Sequence, residues 1–336
     1  METSVSRGRW VQGRWRVHGH VLPRNVAELL RNRKIAVIGD STTRNMAEWL
    51  IQALAPNATV RNMMQSAWYS WQGHPAWYQH RAVVAAWDFA HHECDPYVTT
   101  SGCIDCVCTC VANGNATSCM GRFDGSDRTW LDWTAHHREM NITVEFSWKP
   151  ELMSVDDQLA FRTRWCRNPP HILVVGKGLH GASFSPAHGP GLAHHELAVS
   201  QALRSWSSLL TCLPRSSLVV VRTPLNTHRG VGPCRRDDGT CHNEGVCRAD
   251  RRITASLNAM LNRTRNVMLK LAATGTLGPV RALDGFRLTS TDVGAPRSED
   301  GVHYPSVVQE LQWRLIAMDY SYGYGRSSYT DAPHTK

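Results

Sequence analysis

The chain has 336 residues, of which 42% are hydrophobic and 19% charged, with a formal net charge of +9. That length can bury the core of one large α/β domain, and the balance is that of an ordinary globular protein rather than a disordered or fibrous one. The Lys and Arg residues are scattered without a block of five or six like charges, so the basic balance reads as a solvated surface and no nucleic-acid partner is expected.

The opening METSVSRGRWVQGRW has no apolar core and is not a signal peptide, and no run of 18 apolar residues offers a membrane span. The first ordered unit starts at Lys34. KIAVI is a short apolar run that ends in Gly39-Asp40-Ser41, the pattern of a buried strand feeding a tight turn. Met46, Trp49, Leu50 and Ala53 then recur at helical spacing. Further strand candidates are Arg81–Trp87, Thr143–Phe146, His171–Val175, Leu218–Val221 and Val280–Leu283. Helical patterns cover Ala193–Leu210, Asp250–Ala273 and Ser306–Met318. Alternating strands and helices predict a doubly wound parallel sheet, with ligands held at the carboxyl ends of the strands. Ser41, the Lys177–His180 loop and the loop after Leu283 all fall just past strand ends.

Two segments break this pattern: a Cys-, Gly- and Asn-rich insertion at about 91–130, and a smaller Cys-containing loop at about 224–248. Residues 321–336 read as a disordered tail, leaving a single domain over 1–320. Cys94, Cys103, Cys106, Cys108, Cys110 and Cys119 crowd the first insertion, and Cys234, Cys241 and Cys247 the second. Zinc sites use separated pairs of ligands, so this crowding predicts disulfides in an oxidising compartment and no bound metal. Sequons at Asn57, Asn115, Asn141 and Asn262 point the same way. The expectation is a lumenal or extracellular protein whose natural leader lies outside this chain, with a cytoplasmic location as the alternative. The 13 Trp fit an aromatic core, although Trp68, Tyr69, Trp71, Trp77 and Tyr78 could also form a sugar-stacking platform.

Two short motifs carry chemistry. A serine hydroxyl needs a base to become a nucleophile and donors to face the developing oxyanion. Gly39-Asp40-Ser41 puts a serine at a strand-to-helix turn, where helix N-terminal amides converge; the same pattern also serves as a plain helix cap. Near the other end, Asp300 and His303 lie three apart in EDGVHYP, a spacing that lets the carboxylate orient the imidazole. Alternatively Asp300 caps the following helix. Asp284, which closes the last strand, is the other carboxylate that could orient the base.

GDSTTRN near the start and DGVHYP near the end together resemble the SGNH/GDSL superfamily. KIAVIGDSTTRNMAEWL, with Arg44 and Asn45 after the serine, is similar to its PC-esterase branch, the group of plant trichome birefringence-like and fungal capsule-associated glycan O-acetyltransferases. The RGRWVQGRWRVHGH lead-in shares their Trp- and Arg-rich character, and the likeness spans about residues 8–55 and 280–318. It implies a three-layer, flavodoxin-like fold and a triad of Ser41, His303 and Asp300. It places Gly178 and His180, in GKGLH, where other superfamily members carry an oxyanion-hole Asn block, with Gly73 as the counterpart of a second Gly block. Gly39, Asp40 and Arg44 would line the same oxyanion and substrate site. The plant proteins end in DCxHWC where this chain has DGVHYP, which puts the plant substrate, but not the triad, in doubt. The implied activity is O-acyl transfer, chiefly of acetyl, to glycan hydroxyls. No cofactor stays bound, and acetyl-CoA or another acetyl donor acts as co-substrate. A deacetylating esterase with the same triad, or a non-catalytic glycan-binding member, are the alternatives.

Overall fold

A computed structural model describes residues 8–11, 14–17, 25–55, 85–91, 132–149, 155–176, 199–227 apart from 202, 205, 208 and 209, 244–275, 280–290, 293–296 and 304–323. Strands β1 (Gly8–Val11) and β2 (Arg14–Val17) form a separate antiparallel hairpin, followed by the short helix α1 (Val26–Leu30). The main sheet contains β3 (Lys34–Gly39), β4 (Trp87–His91), β5 (Asp132–His137), β6 (Ile142–Trp148), β7 (Ile172–Gly176), β8 (Leu218–Arg222) and β9 (Val280–Leu283), in the order β4-β5-β6-β3-β7-β8-β9. The strands β6, β3, β7, β8 and β9 run parallel, whereas β4 and β5 are antiparallel to their neighbours.

The helices are α2 (Ser41–Leu54), α3 (Val155–Arg167), α4 (Glu244–Ala273), α5 (Gly285–Leu288) and α6 (Ser306–Gly323). They cover both faces of the sheet, and the strand period of two divides the core accordingly. Ile35, Val37, Ile172, Val174, Leu218 and Val220 pack with α2 and α6 residues such as Leu50, Ile51, Trp313 and Ile316. Ala36, Ile38, Leu173, Val175, Val219 and Val221 face the other way, against Phe161, Trp165, Trp206 and Met268. The strands read as unbroken apolar runs because both of their faces are buried.

The expectation of a wholly parallel sheet is corrected at one edge. A turn through Asn141, which adopts φ 51°, joins β5 to β6 as a hairpin, and β4 adds antiparallel outside it. Asn takes this left-handed conformation more readily than other side chains. The strand expected over Arg81–Trp87 begins instead at Trp87, after a helical turn at residues 85 and 86. Helix α6 runs on to Gly323, so the expected tail boundary at 321 also shifts. Its buried Tyr320, with Arg33 stacked 5.3 Å above the ring, keeps that last turn in the core.

One disulfide is present among the described residues, between Cys166 and Cys212 with Cα atoms 5.3 Å apart. These are the two cysteines outside both clusters. The insertion from 92 to 131, and most of the loop from 228 to 243, lie outside the described residues, so their expected disulfides do too.

Two histidines tie the sheet to pH. His137, stacked edge-on against Trp87, offers Nε2–H to the Leu54 carbonyl at 3.1 Å and accepts the Met140 amide at Nδ1. His171 accepts the Lys34 amide at Nδ1, 2.9 Å away. Burial holds both pKa values below 6.5; at His171, Arg33 and Lys34 add to the depression. The unfolded chain therefore binds more protons near that pH, and stability falls as pH drops below about 6.5. The urea midpoint at pH 5.5 should be lower than at pH 7.5. His171→Asn keeps an acceptor but cannot be protonated, so it should flatten the pH dependence; an unchanged slope would remove His171 from the account.

Candidate active site

The carboxyl end of β3 passes into α2 through Gly39, Asp40 and Ser41. Asp40 is fully buried and caps the helix: its Oδ1 accepts from the Thr42 amide at 3.0 Å, the Thr42 hydroxyl at 2.8 Å and the Thr43 amide at 3.4 Å. Its carbonyl accepts from the Thr43 and Arg44 amides. Ser41 is the first residue of α2. The cap consumes the Thr42 and Thr43 amides, so an oxyanion held at this turn has Ser41's own amide to use.

The turn sits on two glycines. A Cβ on Gly39 would fall 2.5 Å from Thr43 Oγ1 and 2.6 Å from the Gly176 carbonyl oxygen, and one on Gly176 would overlap Thr43 Oγ1. Any side chain at either position would lift α2 away from the ends of β3 and β7. Those two strands lie side by side in the sheet but are followed by connections to opposite outer strands. The parallel part has the order second-first-third-fourth-fifth along the chain, and its switch point falls between β3 and β7. Doubly wound sheets open their ligand crevice at such a point. The structure thus brings the Gly39-Asp40-Ser41 turn and the Gly176 strand end to one crevice.

Beneath this turn lies a fully buried guanidinium that sequence reasoning missed. Arg222, the last residue of β8, donates from Nε to Gln312 Oε1 at 2.6 Å. One terminal nitrogen reaches both Thr42 Oγ1 and Thr43 Oγ1 at 3.1 Å, and the other the Thr42 carbonyl at 3.4 Å. Burial pushes its pKa down to about 10, against an opposing pull from Asp40, so it is charged at neutral pH. A lone arginine after LVVV gives no sequence signal of this kind. The faint sign was a charged residue closing a strand whose every position is buried.

Of the other residues singled out from sequence, Arg44 pairs through Nε with Glu48 Oε1 at 3.2 Å, one turn along α2, and its side chain is 14% exposed. Asp284 caps α5 through the Arg287 amide at 3.1 Å and is clasped by Arg265, whose Nε lies 2.8 and 2.9 Å from its two oxygens. Both oxygens of Asp284 serve the fold, which removes it as an orienter of a base. Tyr304, the residue after His303, is 2% exposed and donates its hydroxyl to the Asn226 carbonyl at 2.8 Å and the Thr289 carbonyl at 3.2 Å. It is therefore pinned between the connections that leave β8 and β9. Gly73, Gly178, His180, Asp300 and His303 lie outside the described residues, as does the side chain of Ser41. No cluster of His, Cys, Asp and Glu suited to a metal ion occurs among the described residues.

Neither a scan against protein-family models nor a search of curated proteins finds a match to the chain.

Arg222→Ala should cost about 3–5 kcal/mol, because it strands two threonines and Gln312 in a buried site. Arg222→Lys keeps the charge without the planar fork and should recover only part of that loss. Urea unfolding measures both; a loss under about 1 kcal/mol for Arg222→Ala would mean that the network is incidental.

Proposed function

We propose that this chain is a serine-dependent O-acyltransferase of the SGNH type, close to the PC-esterase branch, that moves an acetyl-like acyl group onto glycan hydroxyls. The observation that carries this reading is the Arg222 network. It ties the Gly-Asp-Ser turn, through Thr42 and Thr43, to the end of β8 and, through Gln312, to the helix that follows Asp-Gly-Val-His. Trp313 adds a second tie, donating from Nε1 to the Met46 carbonyl at 2.8 Å. Elements flanking the two motifs, far apart in sequence, are thus bound together at the carboxyl side of the sheet. Tyr304 supports the same reading, since the residue after His303 is anchored on that side.

On this reading Ser41 Oγ attacks the acyl carbonyl while its proton passes to His303. The donor's leaving group departs with that proton, leaving the acyl group on Ser41. A sugar hydroxyl then gives its proton to His303 and attacks the acyl carbon, and Ser41 leaves with the proton returned by His303. Asp300 holds the imidazole in one tautomer. The Ser41 amide, with Gly178 and His180, stabilises the oxyanion. Water in place of the sugar would make the same site an esterase. No resident cofactor is needed; an acetyl donor such as acetyl-CoA is the co-substrate. The Cys166–Cys212 bridge favours a secretory-lumen or extracellular setting, where such bonds persist.

A fluorophosphonate probe followed by peptide mass mapping tests the nucleophile. The label is expected on Ser41, and Ser41→Ala should abolish labelling and lower acyl transfer by at least about a thousandfold with an unchanged melting temperature. Label on another serine, or activity within about tenfold of the parent, defeats the assignment.

The pH–rate profile tests the base. A neighbouring carboxylate favours the imidazolium, so Asp300 should hold the activity limb above the ordinary His value of about 6.5. Asp300→Asn should move that limb to lower pH and reduce the maximal rate. Since Asn caps helices as well as Asp does, an unchanged profile and rate would make Asp300 a cap.

A further inference from the structure

We infer that the outer face of the β1–β2 hairpin is a docking ridge for a carboxylate-bearing glycan, a polyuronate chain in chemical terms. The inference rests on the reading of the chain as a glycan acyl-transfer enzyme and names the class of its acceptor. The register pairs Trp10 with Trp15, Arg9 with Arg16 and Val11 with Arg14. The pleat therefore puts positions 10 and 15 on one face and positions 9, 11, 14 and 16 on the other. Trp10 and Trp15 are each 7% exposed, packed edge to face with centroids 5.6 Å apart, and belong to the main core. Arg16 is exposed, and no carboxylate among the described residues pairs with it.

Three of the four outward positions are arginines. Arg9 and Arg16 face each other across the ladder, about 5 Å apart at Cα, and Arg14 lies about 7 Å along the strand. Like charges directly opposite on a ribbon cost stability, and folding alone gives no reason to place them there. An anion lying across the ridge turns that cost into binding, and the guanidinium fork matches a carboxylate in shape.

Two observations choose among polyanions. Single-stranded nucleic acid is held by bases stacked on aromatic faces, and both Trp rings here are buried. A membrane surface requires an apolar face to insert, and this ridge offers Val11, 37% exposed, as its one large apolar residue. A carboxylated glycan needs neither.

The ridge is also fixed at the right edge. Trp10 Nε1 donates to the Leu288 carbonyl at 2.9 Å, and Leu288 adjoins the Thr289 carbonyl that receives the Tyr304 hydroxyl. The hairpin thus rests on the connection after β9 that also anchors the residue following His303. A chain held along the ridge would run beside the proposed base.

The test uses the full chain and a labelled oligogalacturonate, with its methyl ester, a single-stranded oligonucleotide of equal charge, and phosphatidylcholine–phosphatidylserine vesicles as competitors. The triple change Arg9→Gln, Arg14→Gln and Arg16→Gln should weaken oligogalacturonate binding at least about tenfold. Removing three exposed arginines elsewhere, Arg167→Gln, Arg204→Gln and Arg215→Gln, should weaken it less than about threefold, since diffuse charge is screened. Equal losses in the two triples, equal affinity for the methyl ester, or tighter binding of the oligonucleotide or vesicles would each overturn the inference. If the hairpin triple fails to fold, Arg16→Glu is judged by the same ratio against Arg204→Glu. Fluorophosphonate labelling of Ser41 should be untouched by the hairpin changes. Loss of glycan binding with labelling intact, and loss of labelling itself, therefore report on separate conclusions.

Discussion

The structure turns on one buried charge. Arg222 sits at the end of β8 with no exposure to water, and its guanidinium reaches three elements that the chain supplies 179 to 90 residues apart. A guanidinium taken out of water must have its donors satisfied, and the acceptors here are two threonine hydroxyls, a backbone carbonyl and a glutamine side chain. Because the fork is planar and rigid, those acceptors can be met in one arrangement only of α2, β8 and α6. Hydrophobic packing brings the three elements together without fixing how α2 is rotated on the sheet. The arginine supplies that direction, and with it the position of the Ser41 turn.

Close packing enforces the same position from the opposite side. Thr43 fills the space left by the missing side chains of Gly39 and Gly176 while its hydroxyl accepts from Arg222. One threonine thus joins the strand ends to the buried charge. Farther along the sheet Glu145 repeats the principle. Burial alone would raise its pKa, but Arg164 and Lys34 outweigh that and hold it low, with Trp165 donating at 3.2 Å. The polar residues of this interior act as fixed joints between elements, and the apolar clusters fill the volume around them.

This division explains what was legible in the sequence. KIAVI, HILVV and LVVV are buried on both faces, so apolar runs announced β3, β7 and β8 directly. Strand β5, Asp132–His137, carries two histidines and an aspartate, and its edge position leaves a mixed pattern that periodicity does not resolve. The β1–β2 hairpin reads as an Arg- and Trp-rich lead-in because its alternation spans four residues per strand. At the candidate site, Gly39, Asp40 and Ser41 were visible from their spacing. Arg222 was not, because a buried arginine is recognisable only from the partners that three distant segments bring to it. Asp284 shows the converse: a carboxylate at a strand end looked available for chemistry, yet Arg265 and the α5 amides occupy it.

The charge balance at the α2 terminus carries the argument one step further. The N-terminus of a helix presents partial positive charge, which is why an oxyanion is stabilised there. A capping aspartate works against this, since Asp40 puts a carboxylate on the Thr42 and Thr43 amides. Serine or threonine in its place would cap nearly as well without adding a charge. Arg222 changes the balance, because a full positive charge under the same turn offsets the carboxylate within a water-free interior. The pair leaves the turn close to neutral, and the remaining helix dipole stands unopposed at the one first-turn amide that Asp40 does not take, that of Ser41. On the proposed mechanism the oxyanion forms at that amide. The aspartate that fixes the helix start then costs the transition state little, provided that the arginine stays charged. Its pKa of about 10 keeps it so throughout the range in which an imidazole base can work.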